Sequence, residues 1–196
     1  MKTIAIDIDD TLTPFTPYLI RASHEKFGTN PELEARRFDD FYKAWGVDLV
    51  EAKQRRSDML SGFDDSIFYK DAVDVLKRIG KDSRLIVLTS RPEKMVSYTE
   101  SWINLNFPGI FDDIIFAQQV VGPDRYNPKK DNKGQFCPLL EFDYLIDDQI
   151  KHCEGVAKHG RQALLFGDYF WNRDLKPNDK IVRVYDWNGV AKYFCD

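Results

Sequence analysis

The densest chemistry in the chain lies near the amino terminus. In Ile4-Ala5-Ile6-Asp7-Ile8-Asp9-Asp10-Thr11-Leu12-Thr13, three carboxylates directly follow a short apolar run. The run reads as a buried parallel strand. Carboxylates buried at its end are costly unless a cation or a hydrogen-bond network compensates them. Asp7 and Asp9 are two apart, so extended backbone would point both to one face, while Asp10 reads as a turn residue. One carboxyl of such a pair can attack while the other moves a proton. The plainer alternative is an acidic loop that caps a strand and does nothing more.

Three further pieces lie downstream in order: Leu85-Ile86-Val87-Leu88-Thr89-Ser90-Arg91-Pro92, a lysine-rich segment ending at Lys133, and Tyr144-Leu145-Ile146-Asp147-Asp148. The first and last repeat the opening grammar, an apolar strand with polar groups at its carboxyl end. Sites in open α/β sheets form where the loops at those ends converge. Thr89 and Ser90 can cap a helix or hold an anion, and the two uses coexist. Pro92 reads as the first residue of the next helix, whose free N–H groups would favour an anion. Lys129, Lys130 and Lys133 compete for the role of the cation that offsets the acids.

The elements that must position these groups follow a βαβ rhythm. Thr16-Pro17 reads as a helix start and Gly28 as its stop; Asn30-Pro31 repeats the start signal. Phe38, Phe41, Tyr42 and Trp45 fall at i, i+3, i+4 and i+7, an aromatic face that Gly46 ends. A third helix is expected over residues 48–60. Nothing from Pro17 to Gly62 alternates like a strand, so residues 15–64 read as a helical insertion between residues 1–14 and the remainder, 65–196. In that remainder a helix over 69–79 carries Ala72, Val73, Leu76 and Ile79 inward. Strands are expected at 85–88, 114–116, 144–146, 163–166 and 181–184. The polar stretch 122–133 reads as a loop, and a short helix ends the chain.

Composition narrows the function classes. The chain has 196 residues, enough for one core domain with one insertion, and 43% of them are apolar. Lys+Arg number 28 against 32 Asp+Glu, a net charge of −4, which argues against tracking an extended nucleic-acid backbone. Two or three local basic groups still suffice for one phosphate. Cys137, Cys153 and Cys195 show no paired spacing and read as free thiols of a reducing compartment. His24, His152 and His159 form no metal-ligand pattern and read as surface or packing residues. No signal peptide and no membrane span is read, so the expected location is cytoplasmic.

Asp7-Ile8-Asp9-Asp10-Thr11, Thr89, the lysine segment and Asp147-Asp148 together resemble the four motifs of the haloacid dehalogenase (HAD) superfamily, from Asp7 to Asp148. The resemblance implies a Rossmann-like α/β fold, a parallel sheet with helices on both faces, and a small helical cap formed by residues 15–64. It also implies a Mg²⁺-dependent phosphomonoesterase. Asp7 would be the nucleophile, forming an aspartyl-phosphate, and Asp9 the general acid/base. The metal would be held by Asp7, the Asp9 backbone carbonyl and Asp148, with Asp147 as an outer partner. Thr11, Thr89, Ser90 and Arg91 would bind phosphate. The family's placement favours Lys133 over Lys130. Asp10 stands where a small residue is common, and its charge has no role in the motif.

Thr89-Ser90-Arg91-Pro92, Leu145-Ile146-Asp147-Asp148, Gln162-Ala163-Leu164-Leu165-Phe166 and Trp171-Asn172-Arg173 look most like 5'(3')-deoxyribonucleotidases and related bacterial nucleotidases. A nucleoside monophosphate is the substrate this implies, with cap aromatics such as Phe15, Tyr18 and the stripe at 38–45 stacking on the base. The same aromatics could equally be the core of the cap. The rival readings are a phosphatase of sugar phosphates or polynucleotide 3' ends, and a HAD-fold binding protein without turnover.

Overall fold

Apolar runs become the strands of one parallel sheet. The computed structural model describes residues 1–29, 45–60, 66–122, 125, 127, 130–176 and 178–195. Its strands are β1 (Lys2–Ile6), β2 (Ser83–Thr89), β3 (Asp113–Phe116), β4 (Tyr144–Asp147), β5 (Gln162–Phe166) and β6 (Ile181–Val184). They lie in the order β3-β2-β1-β4-β5-β6, each parallel to its neighbours. This is a Rossmann-like α/β fold, and its winding reverses between β1 and β4, where such sheets open a crevice.

Strand alternation divides the core in two. Ile4, Ile6, Leu85, Val87, Ile146, Leu164 and Phe166 face one side. There they meet α3 (Lys70–Ile79), α4 (Val96–Asn106) and α8 (Trp187–Cys195). Ala5, Ile86, Leu88, Leu145, Ala163 and Leu165 face the other side, against Phe136, Phe142 and α7 (Ile150–Lys158). Both clusters are buried, and each large aliphatic side chain in them contributes roughly 1.5–3 kcal/mol. In α3 the buried positions are Ala72, Val75, Leu76 and Ile79, so Val75 takes the place expected of Val73, which is only partly buried. A short helix, α5 (Ala117–Val121), precedes the polar stretch and was not expected. A 3-10 turn, Lys133–Phe136, runs directly into α6 (Cys137–Leu140).

The helical segment after β1 has an apolar cluster of its own. α1 (Phe15–Phe27) ends at Gly28 in the left-handed conformation (φ 65°), as its glycine predicts. It starts earlier than Thr16-Pro17 implied, because the first turn is capped from outside: Thr16 N and Oγ1 donate to Asp10 Oδ1 and Oδ2 at 2.7 and 2.5 Å. α2 (Leu49–Leu60) is capped by Asp48, whose Oδ1 accepts from Val50 N and Glu51 N at 2.8 and 2.9 Å. Leu19, Ala22, Trp45, Ala52 and Met59 are buried together, with Phe15 and Tyr18 packed against them. Phe38, Phe41 and Tyr42 of the expected aromatic face lie outside the described residues, as do the helix start at Asn30-Pro31 and Gly62.

Candidate active site

The chain folds its acids onto the β1/β4 reversal. Asp7 follows β1, and its N–H donates to Ile146 O at 3.0 Å, tying it to the end of β4. Asp147 is the last residue of β4 and Asp148 the next. Asp7, Asp147 and Asp148 can each offer an oxygen within 4.8 Å of the others, and all three are buried.

Lys133 is the cation in their midst. Its Nζ donates to Asp7 Oδ1 at 2.5 Å and to Asp147 Oδ2 at 2.7 Å, and its side chain is 1% exposed. Burial works against its charge, but Asp147 and Asp7 outweigh that cost and raise its pKa. Close backbone packing brings this lysine in. A Cβ on Gly134 would meet Gly155 C at 2.2 Å, and one on Gly155 would meet Asn132 Oδ1 at 1.8 Å. Only glycines let the turn and α7 approach this far. Asn132 Oδ1 accepts from Gly134 N at 2.9 Å, and His152 Nδ1 accepts from Lys133 N at 3.0 Å. Burial lowers the His152 pKa to about 3, which keeps the imidazole neutral and able to accept. Lys130 is exposed on the loop, and Lys129 lies outside the described residues.

The carboxyls themselves are ordered by neighbours. Asp147 Oδ1 accepts from Gln149 N at 2.8 Å. Asp148 Oδ2 accepts from both Gln149 Nε2 (2.7 Å) and Trp171 Nε1 (2.6 Å). Asn172 Nδ2 donates to Asp148 O and Phe166 O at 3.0 and 2.9 Å, fastening the loop after β5 to the end of β4. Burial raises the Asp7 pKa to about 7, with Asp147 and Asp9 adding to it and Lys133 opposing. Burial, then Asp147, Asp10 and Asp7, raise that of Asp148. Three carboxyls around one ammonium leave a surplus of negative charge in an all-oxygen site. That donor set fits Mg²⁺, which takes hard oxygen ligands and keeps waters.

Asp9 stands apart from this group. Its two oxygens accept from Arg91 Nε and Nη2 at 3.0 and 2.7 Å. The Arg91 guanidinium, expected toward phosphate, is therefore turned onto Asp9. Thr89 ends β2 almost fully buried, and its Oγ1 accepts from Arg91 N at 3.1 Å. Ser90 is half-buried beside it. Thr11 has no exposed surface, and its Oγ1 has no partner; its carbonyl accepts from Trp187 Nε1 at 3.0 Å. No substrate reaches that hydroxyl unless the turn moves. Pro92 is the N-cap rather than the first residue of the helical segment: its backbone is extended (ψ 154°), a 3-10 turn (Glu93–Met95) follows and runs into α4, and Glu93 N donates to Gln118 Oε1 at 3.1 Å. Of the N–H groups expected to favour an anion there, that of Glu93 is taken by Gln118.

Asp10, the turn residue, has a positive φ of 61°. Its charge finds its use here: the carboxyl caps α1, and burial raises its pKa to about 8 against the two Thr16 bonds. Tyr169 OH donates to Asp10 O at 2.8 Å. Sequence reasoning missed His152, Gln149, Trp171 and Tyr169 as supports. Gln149 had a signal, a polar side chain directly after the acid pair at a helix start. His152, read as an ordinary packing residue, had none.

No family model and no curated protein matches the chain. Solved structures do. A haloacid dehalogenase-like hydrolase from Streptococcus pneumoniae is similar at TM-score 0.63 and 16% identity, over 99% of this chain and 98% of that one. A protein from Clostridium acetobutylicum, named a predicted phosphatase, reaches 0.66 and 17% over 98% and 97%. A 2-haloacid dehalogenase from Pseudomonas syringae reaches 0.52 and 16% over 98% and 99%. The sheet order, the acids at the β1/β4 reversal and this end-to-end likeness agree on one conclusion: the chain has the fold of the HAD hydrolases.

Proposed function

We propose that the chain is a Mg²⁺-dependent phosphomonoesterase working through an aspartyl-phosphate on Asp7, with nucleoside monophosphates as its substrate class. One observation carries the reading. Lys133 bridges Asp7 and Asp147 beside Asp148, which concentrates carboxylates and one fixed cation where a phosphoryl group would meet the end of β1. Phosphoryl transfer demands mainly alignment and charge neutralisation. With Oδ1 of Asp7 held by Lys133, Oδ2 is the oxygen left to attack phosphorus. The ester oxygen departs with a proton from Asp9. Water then attacks the same phosphorus as Asp9 takes its proton, and Asp7 is released. Asp7, Asp148 and the Asp9 carbonyl would hold the metal, with Asp147 behind them on Lys133. The ion, when bound, supplies positive charge for the phosphoryl oxygens.

The nucleotide reading has support other than the aromatic stripe. The described aromatics of the helical segment turn into their own cluster: Trp45 Nε1 donates to Ser23 Oγ and Tyr18 OH to Met59 O. The rings that approach the acids are Tyr169 and Trp171, stacked at 4.5 Å and 4°. They line a cavity of about 280 Å³ with Ile20, Arg21 and Phe170, and Trp171 touches Asp148. Stacking there would be worth roughly 1–3 kcal/mol per base. Dehalogenation, for which some of the fold relatives are named, requires neither Mg²⁺ nor a second acid such as Asp9.

The test is hydrolysis of 4-nitrophenyl phosphate with Mg²⁺ and with EDTA, then a panel of nucleoside monophosphates, hexose phosphates, a 3'-phosphorylated oligonucleotide and chloroacetate. Mg²⁺-dependent turnover with nucleotides at least about tenfold ahead in kcat/KM is expected. Chloride release without phosphate release would overturn the reading. Binding without turnover would make the chain a scaffold of the same fold.

A further inference from the structure

We infer that Arg91 is the positioning residue of the Asp9 acid/base rather than a phosphate ligand, an inference that rests on the phosphatase reading above. Arg91 is 7% exposed, deep enough for its orientation to be fixed. Nε and Nη2 grip the two oxygens of Asp9 at 3.0 and 2.7 Å, a two-pronged pair across 82 positions of sequence. Nη1 is anchored at 3.3 Å on Thr99 Oγ1, which α4 buries completely. The guanidinium lies 5.8 Å from the Trp102 ring centre, and Trp102 is a core residue. The arginine is thus held on the side away from Asp9 by groups that belong to α4.

The geometry suits proton transfer. A carboxylate has about four lone-pair directions. The fork occupies one on each oxygen and fixes the carboxyl plane, leaving a second direction on each to carry or accept a proton. Asp9 remains 33% exposed at its side chain while Arg91 is 6% exposed, so the open lone pairs belong to the accessible side of the pair. Neutral hydrogen bonds to a freely rotating carboxyl would not hold that plane; a bidentate arginine does. The single N–H of Nε and one N–H of Nη2 are spent on Asp9, so a phosphate oxygen cannot take the Nε–Nη2 fork without displacing it.

The two roles differ in what they do to different esters. A phosphate-binding arginine acts on every phosphate ester alike. A residue that aims the proton donor matters only where the departing oxygen needs a proton. Phenyl and 4-nitrophenyl phosphate are close in size, but phenoxide is the more basic leaving group and depends on the proton far more. The ratio kcat/KM reports the steps through departure of the alcohol and is untouched by later hydrolysis of the aspartyl-phosphate.

The experiment measures kcat/KM for both esters, with Mg²⁺ present, in the wild type, Arg91→Ala, Arg91→Lys, Asp9→Asn and Arg91→Ala/Asp9→Asn, with inorganic phosphate as a competitive inhibitor. Misplacing a catalytic group by about an ångström costs on the order of a hundredfold. Arg91→Ala is expected to lose about that on phenyl phosphate and less than about threefold on 4-nitrophenyl phosphate, with an unchanged Ki for phosphate. Arg91→Lys keeps the charge without the fork and is expected to fall between, which keeps the test usable if the alanine variant folds poorly. The double variant is expected to match Asp9→Asn alone, because interacting groups are not additive. Equal losses on both esters, or a raised Ki for phosphate, overturn the inference and return Arg91 to phosphate binding. If the wild type cleaves neither ester, the phosphatase reading fails instead.

Discussion

Asp7 and Asp9 are the same residue type two positions apart, yet the fold gives them opposite surroundings. Asp7 sits in the inner half of the site, 8% exposed, against a buried ammonium and two further acids. Asp9 sits in the outer half, a third of its side chain accessible, paired with one guanidinium. β1 stops at Ile6, so the extended geometry that would align the two does not reach them. The difference in placement suits the two roles proposed for them: a fixed, crowded carboxyl for attack on phosphorus, and an accessible, planar-held one for proton transfer.

The largest effect should come from erasing that difference chemically. Asp7→Asn leaves the inner half without its proposed nucleophile, and kcat for 4-nitrophenyl phosphate should fall by about 10⁴ or more. Asp9→Asn should cost on the order of 10²–10⁴ on a basic leaving group while Mg²⁺ still binds, since its proposed ligand is the backbone carbonyl. Equal behaviour of the two variants across esters would dissolve the division. Lys133→Ala strikes the inner half through stability. It strands Asp7 and Asp147 beside each other, and removing one partner of a buried pair costs about 3–5 kcal/mol. A melting point lower by on the order of 10 °C is expected, with Lys130→Ala unchanged because that side chain is exposed. The reverse pattern would move the motif lysine into the loop.

A smaller and reversible effect comes from pH and metal. Asp7, at about 7, and Asp148 both have folded pKa values above the unfolded value of 3.8. Between pH 4 and 7 the folded chain therefore holds protons that the unfolded chain has released. In EDTA, stability should be highest near pH 4 and decline as pH rises through that window. A divalent cation takes the protons' place, so its stabilisation should be large at pH 8 and small at pH 5. At a hundred times Kd it contributes about 2.7 kcal/mol, a melting shift on the order of 5–10 °C. Equal shifts at both pH values in calorimetry would place the ion elsewhere.

The inner half was far more legible in the sequence than the outer. Apolar runs ending in acids locate β1 and β4, and the parallel rule then brings their carboxyl ends together without further information. The lysine could be narrowed only by family placement, because its burial depends on Gly134 meeting Gly155 across 21 positions, a packing fact no local pattern encodes. Arg91 is the clearest loss. An arginine after Thr-Ser at a strand end serves a phosphate or a carboxylate equally well, and the choice rests on Asp9 and Thr99 arriving from other elements. The start of α1 was misplaced for a related reason: its cap comes from Asp10, six residues upstream, rather than from the adjacent Thr16.

Asp10 offers the smallest effect and separates structural from catalytic acids within one run. It lies beside both halves, yet its carboxyl bonds to the start of α1, through Thr16 N and Oγ1. Asparagine can reproduce both contacts: its Oδ1 accepts from Thr16 N, and its amide donates to the hydroxyl, which reverses. Alanine can do neither, and losing a helix cap costs about 0.5–2 kcal/mol. The folded pKa of about 8 exceeds the unfolded 3.8, so the aspartate form loses stability as pH rises between those values. Asp10→Asn removes that loss. In EDTA it should melt with the wild type near pH 4 and above it by pH 8, while Asp10→Ala melts below Asp10→Asn at both. With Mg²⁺, neither substitution should change the relative kcat/KM for phenyl and 4-nitrophenyl phosphate, because Asp10 moves no proton to substrate. A selective loss on phenyl phosphate in Asp10→Asn would make this third carboxyl part of the outer half.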